Sequence, residues 1–206
     1  MAGPKRQDRP FEGQGTLGGF GARALSDRLF FAVHPDPQTA RRIVALAEAL
    51  RAKHGLRGKP ITAERLHVTL HHLGDHAGLP ESLVARIGGA AAQIAMPPFE
   101  VCFDRVASFP GGARSRPCVL RSESAGANPA LLALQAGLAA NLRDAGLGRY
   151  VERHFTPHVT LLYAGSAVAG IVAPIGWTVH AFALVHSLLG RGQHRILQSW
   201  PLAGSA

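Results

Sequence analysis

The chain predicts an α+β fold of two similar lobes, with antiparallel sheets inside and helices outside. Three observations carry that reading. Short apolar runs rich in strand formers alternate with stretches of helical periodicity from about residue 25 onward. The tetrapeptide His67-Val68-Thr69-Leu70 returns as His158-Val159-Thr160-Leu161, each copy with a glycine seven residues past its histidine, Gly74 and Gly165. The order strand, helix, strand with His and Thr occurs once in each half.

Residues 1–25 are rich in Gly, Arg and Lys and lack apolar periodicity, which predicts a disordered basic tail. Residues 26–206 are expected to form a single bilobal domain. The apolar run Leu29-Phe30-Phe31-Ala32-Val33 predicts the first strand, stopped by Pro35-Asp36-Pro37. Its two phenylalanines alternate faces, so one belongs to the core and the other could reach a groove; core for both is the preferred reading. Ile43, Leu46, Ala47 and Leu50 recur at helical spacing, predicting a helix over 38–53 with Gly55 just past its end. Residues 66–73 form the strand bearing the first His/Thr pair, closed by Gly74-Asp75.

A second helix, about 80–94, opens with Pro80 and carries Leu83, Val84 and Ile87. Residues 99–106 alternate in part like a strand, and Phe109-Pro110-Gly111-Gly112 turns them towards 118–121 as a hairpin. Asn128-Pro129 begins a third helix, with Leu131, Leu134, Leu138 and Leu142 on one stripe and Gly146 near its end. The second His/Thr strand follows. An apolar run from Trp177 to Leu189 then passes through Gly190-Arg191-Gly192 into a closing hairpin strand over 195–200.

Composition narrows the class of function. A hydrophobic content of 47% is ordinary for a globular protein, and no apolar run approaches the roughly 18 residues of a membrane helix. A soluble cytoplasmic protein, acting as a monomer without membrane contact, is expected. The 22 Lys+Arg outnumber the 13 Asp+Glu, and only three of the 22 are lysines. Arginine's planar fork suits phosphate and stacks on bases, so the excess fits a polyanionic partner such as RNA; an ordinary solvated surface is the other reading of the same charge. Cys102 and Cys118 lack a CxxC spacing and are read as free thiols.

The duplicated tetrapeptide carries the chemistry. In a strand, His and Thr two residues apart point to one face, so each copy presents an imidazole beside a hydroxyl. Histidine gives or takes a proton near neutral pH, and threonine is a compact partner for a phosphoryl oxygen. Two such pairs face to face supply an acid and a base to one phosphorus centre. The cluster His71-His72-x-x-x-His76 has no cysteine or carboxylate pattern to complete it, so no metal and no other cofactor is expected.

These residues resemble a known family. Two H-x-T-x motifs about ninety residues apart, with Arg28-Leu29-Phe30-Phe31-Ala32-Val33 ahead of them and Phe155-x-Pro157 leading into the second, look like the 2H phosphoesterases. The segment from Leu184 through Gly192, ending in Trp200-Pro201-Leu202, is similar to the last strands of the LigT-like branch, the RNA 2′,3′-cyclic phosphodiesterases often labelled 2′-5′ RNA ligases. The resemblance spans residues 27–202. It implies a bilobal pseudo-twofold fold whose two antiparallel sheets line a central groove, with no metal. It also implies hydrolysis of RNA 2′,3′-cyclic phosphate ends to 2′-phosphomonoesters. His67 would be the proton donor to the departing 3′ oxygen, His158 the proton acceptor from water, and Thr69 and Thr160 the holders of the non-bridging oxygens.

The chain departs from the family where arginine often stands five residues after the second histidine; here it is Tyr163, able to stack on a base instead. His71, two along from Thr69, is expected to share its face and touch substrate, and His72 to face away. Ser187 and Arg191 are further candidate RNA contacts. His154, His180, His186 and His194 are read as surface or satisfied core histidines. Three competing functions share the motifs: 2′-5′ RNA ligation, hydrolysis of another cyclic phosphate, and RNA binding without turnover.

Overall fold

Strands and helices follow one another along the chain in the order β1 (Asp27–Val33), α1 (Pro37–His54), β2 (Val68–His76), α2 (Glu81–Ala91), β3 (Phe99–Ser108), β4 (Arg116–Arg121), α3 (Pro129–Asp144), β5 (His158–Ala164), β6 (Ala169–Val179), β7 (Ala181–Leu188) and β8 (Gln193–Pro201). The computed structural model describes residues 24–112, 115–124, 126–152 and 154–204. The expectation for the basic tail therefore lies, up to residue 23, outside the described residues.

Local chemistry sets the helix ends. Asp36 accepts from the amides of Gln38 and Thr39 at 2.8 and 2.9 Å, and Pro37 occupies the first turn of α1. Gly55 ends the helix in the left-handed region at φ 60° and returns its amide to Arg51 O. Ile43, Ala47 and Leu50 form the buried stripe that the spacing predicts.

The eight strands form one antiparallel sheet in the order β6-β3-β4-β5-β2-β1-β7-β8. This corrects the expectation of two separate sheets. The two four-stranded halves meet at a seam between β2 and β5, joined there by the pair Val68↔Val159. The halves of the sheet are also not the halves of the sequence. β3 to β6 form one lobe from a continuous stretch of chain, whereas β7 and β8 cross back so that β7 pairs with β1. Pairing there covers an edge of β1 that would otherwise expose a row of unpaired backbone groups. His186 on β7 strengthens it: its Nε2 donates to Asp27 of β1, whose carboxylate also accepts from Ser26 and the Gly78 amide.

The single apolar run expected from Trp177 to Leu189 is two strands that break at His180. β6 begins eight residues before Trp177, in a stretch of Ala and Gly interrupted by Pro174. Such a stretch has weak strand propensity, and β6 tolerates the proline because it lies at the edge of the sheet.

The helices cover one face of this sheet. α1 lies against β5 and β6, α3 against β2 and β3, and α2 against α3. Leu29, Phe31, Ile43, Leu131, Leu134 and Leu138 meet there, fully buried, and each contributes roughly 1.5–3 kcal/mol by leaving water. Among the described residues, the opposite face carries a smaller apolar patch of Phe30, Ala32, Ala183 and Val185. Around that patch lies the groove. Cys102 and Cys118 are unpaired, and burial pushes the Cys118 thiol pKa up. Among the described residues no helix is long and apolar enough to cross a membrane.

Candidate active site

Each motif histidine is held in the same way by its own chain. The His67 Nδ1 lies 2.7 Å from Arg65 O, and the His158 Nδ1 lies 2.7 Å from Thr156 O. A carbonyl only accepts, so both Nδ1 atoms carry the proton and donate it. That fixes the tautomer and leaves Nε2 as the atom that gains or loses a proton on each ring.

The seam brings the two motifs together. Pairing of Val68 with Val159 in antiparallel register sets His67 beside Thr160 and Thr69 beside His158. All four line one cleft of ≈ 280 Å³, with Arg28, Phe30, Ile61, Arg65, His72, Tyr163, Ser187 and His194 around them. No acidic side chain is among these lining residues.

The two imidazoles differ in their surroundings. His67 stacks on Phe30, ring centroids 4.8 Å apart and planes 28° from parallel, and meets the edge of His194 at 5.4 Å. Burial pushes its pKa down to about 4 against the lift from the Arg65 carbonyl, with His194, His34 and His158 lowering it further. His158 meets Phe109 edge-on at 4.9 Å. Its pKa is also lowered, first by burial and then by Arg121, against the lift from Thr156 O. Both rings are therefore neutral near pH 7.

The family model described as the 2′-5′ RNA ligase superfamily matches residues 35–191. The chain belongs to this superfamily. Solved 2H phosphoesterases of this kind share its fold. Escherichia coli LigT complexed with NADP+ aligns at 28% identity over 86% of this chain and 98% of that chain, TM-score 0.67. The same protein complexed with 3′-AMP aligns at 28% identity over 86% and 98%, TM-score 0.64. A Thermus thermophilus protein aligns at 26% identity over 87% and 100%, TM-score 0.67. No curated protein matches the chain in sequence.

Within this superfamily fold, β2 corrects the reading of its own histidines. Ala32 pairs with Thr69 but Phe31 pairs with His71, so β2 carries an extra residue at Leu70. The bulge reverses the alternation. His71, expected to touch substrate, is fully buried on the helix side, where its Nε2 contacts Gln135 O at 2.9 Å and its Nδ1 accepts from the Glu152 amide at 3.1 Å. His72, expected to face away, lines the groove and meets Asp75. The three histidines of the 71–76 cluster thus diverge, His76 contacting Leu73 O.

Tyr163 and Ser187 line the groove as their positions in the chain suggest, while Arg191 sits exposed in the β7–β8 turn outside it. Phe30 is buried, as assigned, and also lines the groove, where it stacks on His67.

His194, read as a surface or satisfied core histidine, instead lines the groove with its buried Nδ1 unpartnered, and Arg28 and Arg65 line it although the sequence assigns neither a groove role. Arg65 lies two residues before His67, the position whose carbonyl anchors the ring, and that spacing is the signal that could have found it. Arg28 and His194 reach the groove through cross-strand register: Arg28 pairs with Ser187, and Ser187 with His194. No single strand reveals such a row.

Proposed function

We propose that the protein is a metal-independent RNA 2′,3′-cyclic phosphodiesterase, and that residues 26–206 act as one catalytic unit. The observation that carries this reading is the matched pair of carbonyl-anchored histidines, each placed beside the other motif's threonine. Ring opening of a cyclic phosphodiester needs an in-line nucleophile and a protonated leaving group, which are the two tasks such a pair performs. The LigT complexes with 3′-AMP and NADP+ support a nucleotide substrate.

In this mechanism His158 Nε2 takes a proton from water as its oxygen bonds to phosphorus. The bond from phosphorus to the 3′ oxygen breaks, and His67 Nε2–H gives that oxygen its proton. One water is added overall, leaving a 2′-phosphomonoester and a 3′-hydroxyl. The Thr69 and Thr160 hydroxyls donate to the non-bridging oxygens as charge gathers on them. His67 must be protonated beforehand, and its depressed pKa opposes that. A phosphodiester anion entering a cleft without carboxylates supplies the compensating charge and raises the pKa.

The test is an RNA oligonucleotide ending in a 2′,3′-cyclic phosphate, incubated with the purified protein in excess chelator. A 2′-phosphate end formed at the same rate without chelator is expected. A 3′-phosphate end, or no product, overturns the proposal.

A further inference from the structure

Charge is distributed unevenly along the groove. At one end Arg28 is already paired: its Nε and Nη2 donate to Asp75 at 2.7 and 2.8 Å, and the same carboxylate meets His72. At the other end Arg65 makes no ion pair among the described residues. Its guanidinium reaches the β7–β8 turn, where a Cβ on Gly192 would stand 3.5 Å from Nη1. His194 follows two residues later, its ring 5.4 Å from both His67 and Phe30. His34 adds a third imidazole, 6.2 Å from His67.

Two polar atoms at this end, Arg65 Nε and His194 Nδ1, are buried without a hydrogen-bond partner. Burial, with Arg65 and His34 nearby, drives the His194 pKa down to about 4. The ring is then neutral near pH 7, with one nitrogen able to donate a hydrogen bond and the other to accept one. His194 can therefore offer an anion one N–H without itself carrying charge. A guanidinium, a neutral donor and no facing carboxylate form an arrangement that is unfavourable alone and relieved by an anion.

We propose that Arg65 and His194 form a second anion subsite beyond His67, which holds the phosphate on the 5′ oxygen of the terminal nucleoside. The proposal rests on the reading of His67 and His158 as the reacting pair, which puts the cyclic phosphate at the seam and leaves the subsite for the next phosphate along. The favoured substrate is then an oligonucleotide end, and a bare nucleoside cyclic phosphate is a poor one. In an oligonucleotide this phosphate is the internucleotide diester; in a mononucleotide it is a free 5′-phosphate.

Four substrates with the same 2′,3′-cyclic phosphate test this: adenosine with no 5′ group, adenosine with a 5′-phosphate, the dinucleotide ApA, and ApA with an uncharged methylphosphonate link. The expected kcat/KM for ApA exceeds that for unmodified adenosine by at least about tenfold, and the methylphosphonate removes most of the gain. The 5′-phosphorylated adenosine shows whether a free phosphate suffices in place of a diester. Arg65→Gln lowers the ratio of ApA to its methylphosphonate towards one; His194→Gln, which keeps a donor, retains more of the ratio than His194→Phe. Equal kcat/KM for the charged and uncharged links overturns the subsite.

If no substrate is turned over, the reaction assigned above fails, and calorimetric binding of ApA carrying a terminal 2′-phosphate still decides the subsite. Tighter binding of the charged link than of the methylphosphonate upholds it; equal affinity overturns it.

Discussion

Val68 of β2 pairs with Val159 of β5, joining the two halves of the sheet at the level of both motifs. Because the pairing is antiparallel, each histidine neighbours the threonine of the other motif. In the proposed reaction one phosphate meets a proton-transferring ring and a hydroxyl from each side, so the proposed working unit is the crossed pair rather than the tetrapeptide.

Removing the hydroxyls tests the crossed arrangement. Thr69→Val and Thr160→Val keep the branched shape but lose a donor, and each is expected to lower kcat about 10²-fold with an unchanged thermal midpoint. His67→Ala and His158→Ala should each cost about 10²–10⁴-fold. Steady-state kinetics on the cyclic-phosphate oligonucleotide, alongside circular dichroism melts, reads all four. Wild-type rates in either histidine variant would remove that ring from the reaction.

The pH dependence follows from the depressed pKa values. In the free protein His67 titrates at about 4, and His158 lies below the ordinary 6.5. In the proposed mechanism the productive state needs one ring protonated and the other neutral, so kcat/KM is expected to fall about tenfold per pH unit above the higher of the two apparent values, both lowered from the ordinary histidine range. In the complex the bound anion raises the acid's pKa, so the alkaline limb of kcat should sit at higher pH than that of kcat/KM. Coincident limbs, or a limb of kcat/KM above pH 7, would contradict this account.

His71 is expected to matter for stability and not for chemistry. Its ring is fully buried and meets Gln135 O and the Glu152 amide. His71→Leu leaves both backbone groups without a partner, which should destabilise the fold by roughly 1–3 kcal/mol in urea denaturation. Assayed well below the transition, kcat/KM should stay within about threefold of wild type on the view that the ring makes no substrate contact. A large kinetic loss in a stable variant would return His71 to the groove.

Gly58 couples a loop to the groove wall. A Cβ there would stand 1.9 Å from Tyr163 O, so the loop can approach β5 only without a side chain. That approach supports the bridge of Pro60 to Leu162 and the 2.7 Å bond from the Ile61 amide to Leu161 O. Gly58→Ala is expected to destabilise the protein by roughly 0.5–3 kcal/mol and to raise KM, because Ile61 and Tyr163 both line the groove. An unchanged KM and melting temperature would show that the loop accommodates the methyl group elsewhere.

The sequence by itself determined what depends on near neighbours. The Asp36 cap and Gly55 stop of α1, the leucine stripe of α3 and the shared face of His and Thr within each motif follow from turn chemistry and from periods of 3.6 and 2. The paired motifs also carried the family.

Tertiary structure decided what depends on hydrogen bonds between distant segments. The bulge at Leu70, which buries His71 and turns His72 into the groove, exists only in the register of β2 against β1. The return of β7 and β8 to the first lobe, and with it the placing of Ser187 and His194 on one row with Arg28, is set by pairing across more than 150 residues of chain. A repeating local pattern cannot encode a one-residue slip in a partner strand, because adding one residue reverses every side chain beyond it.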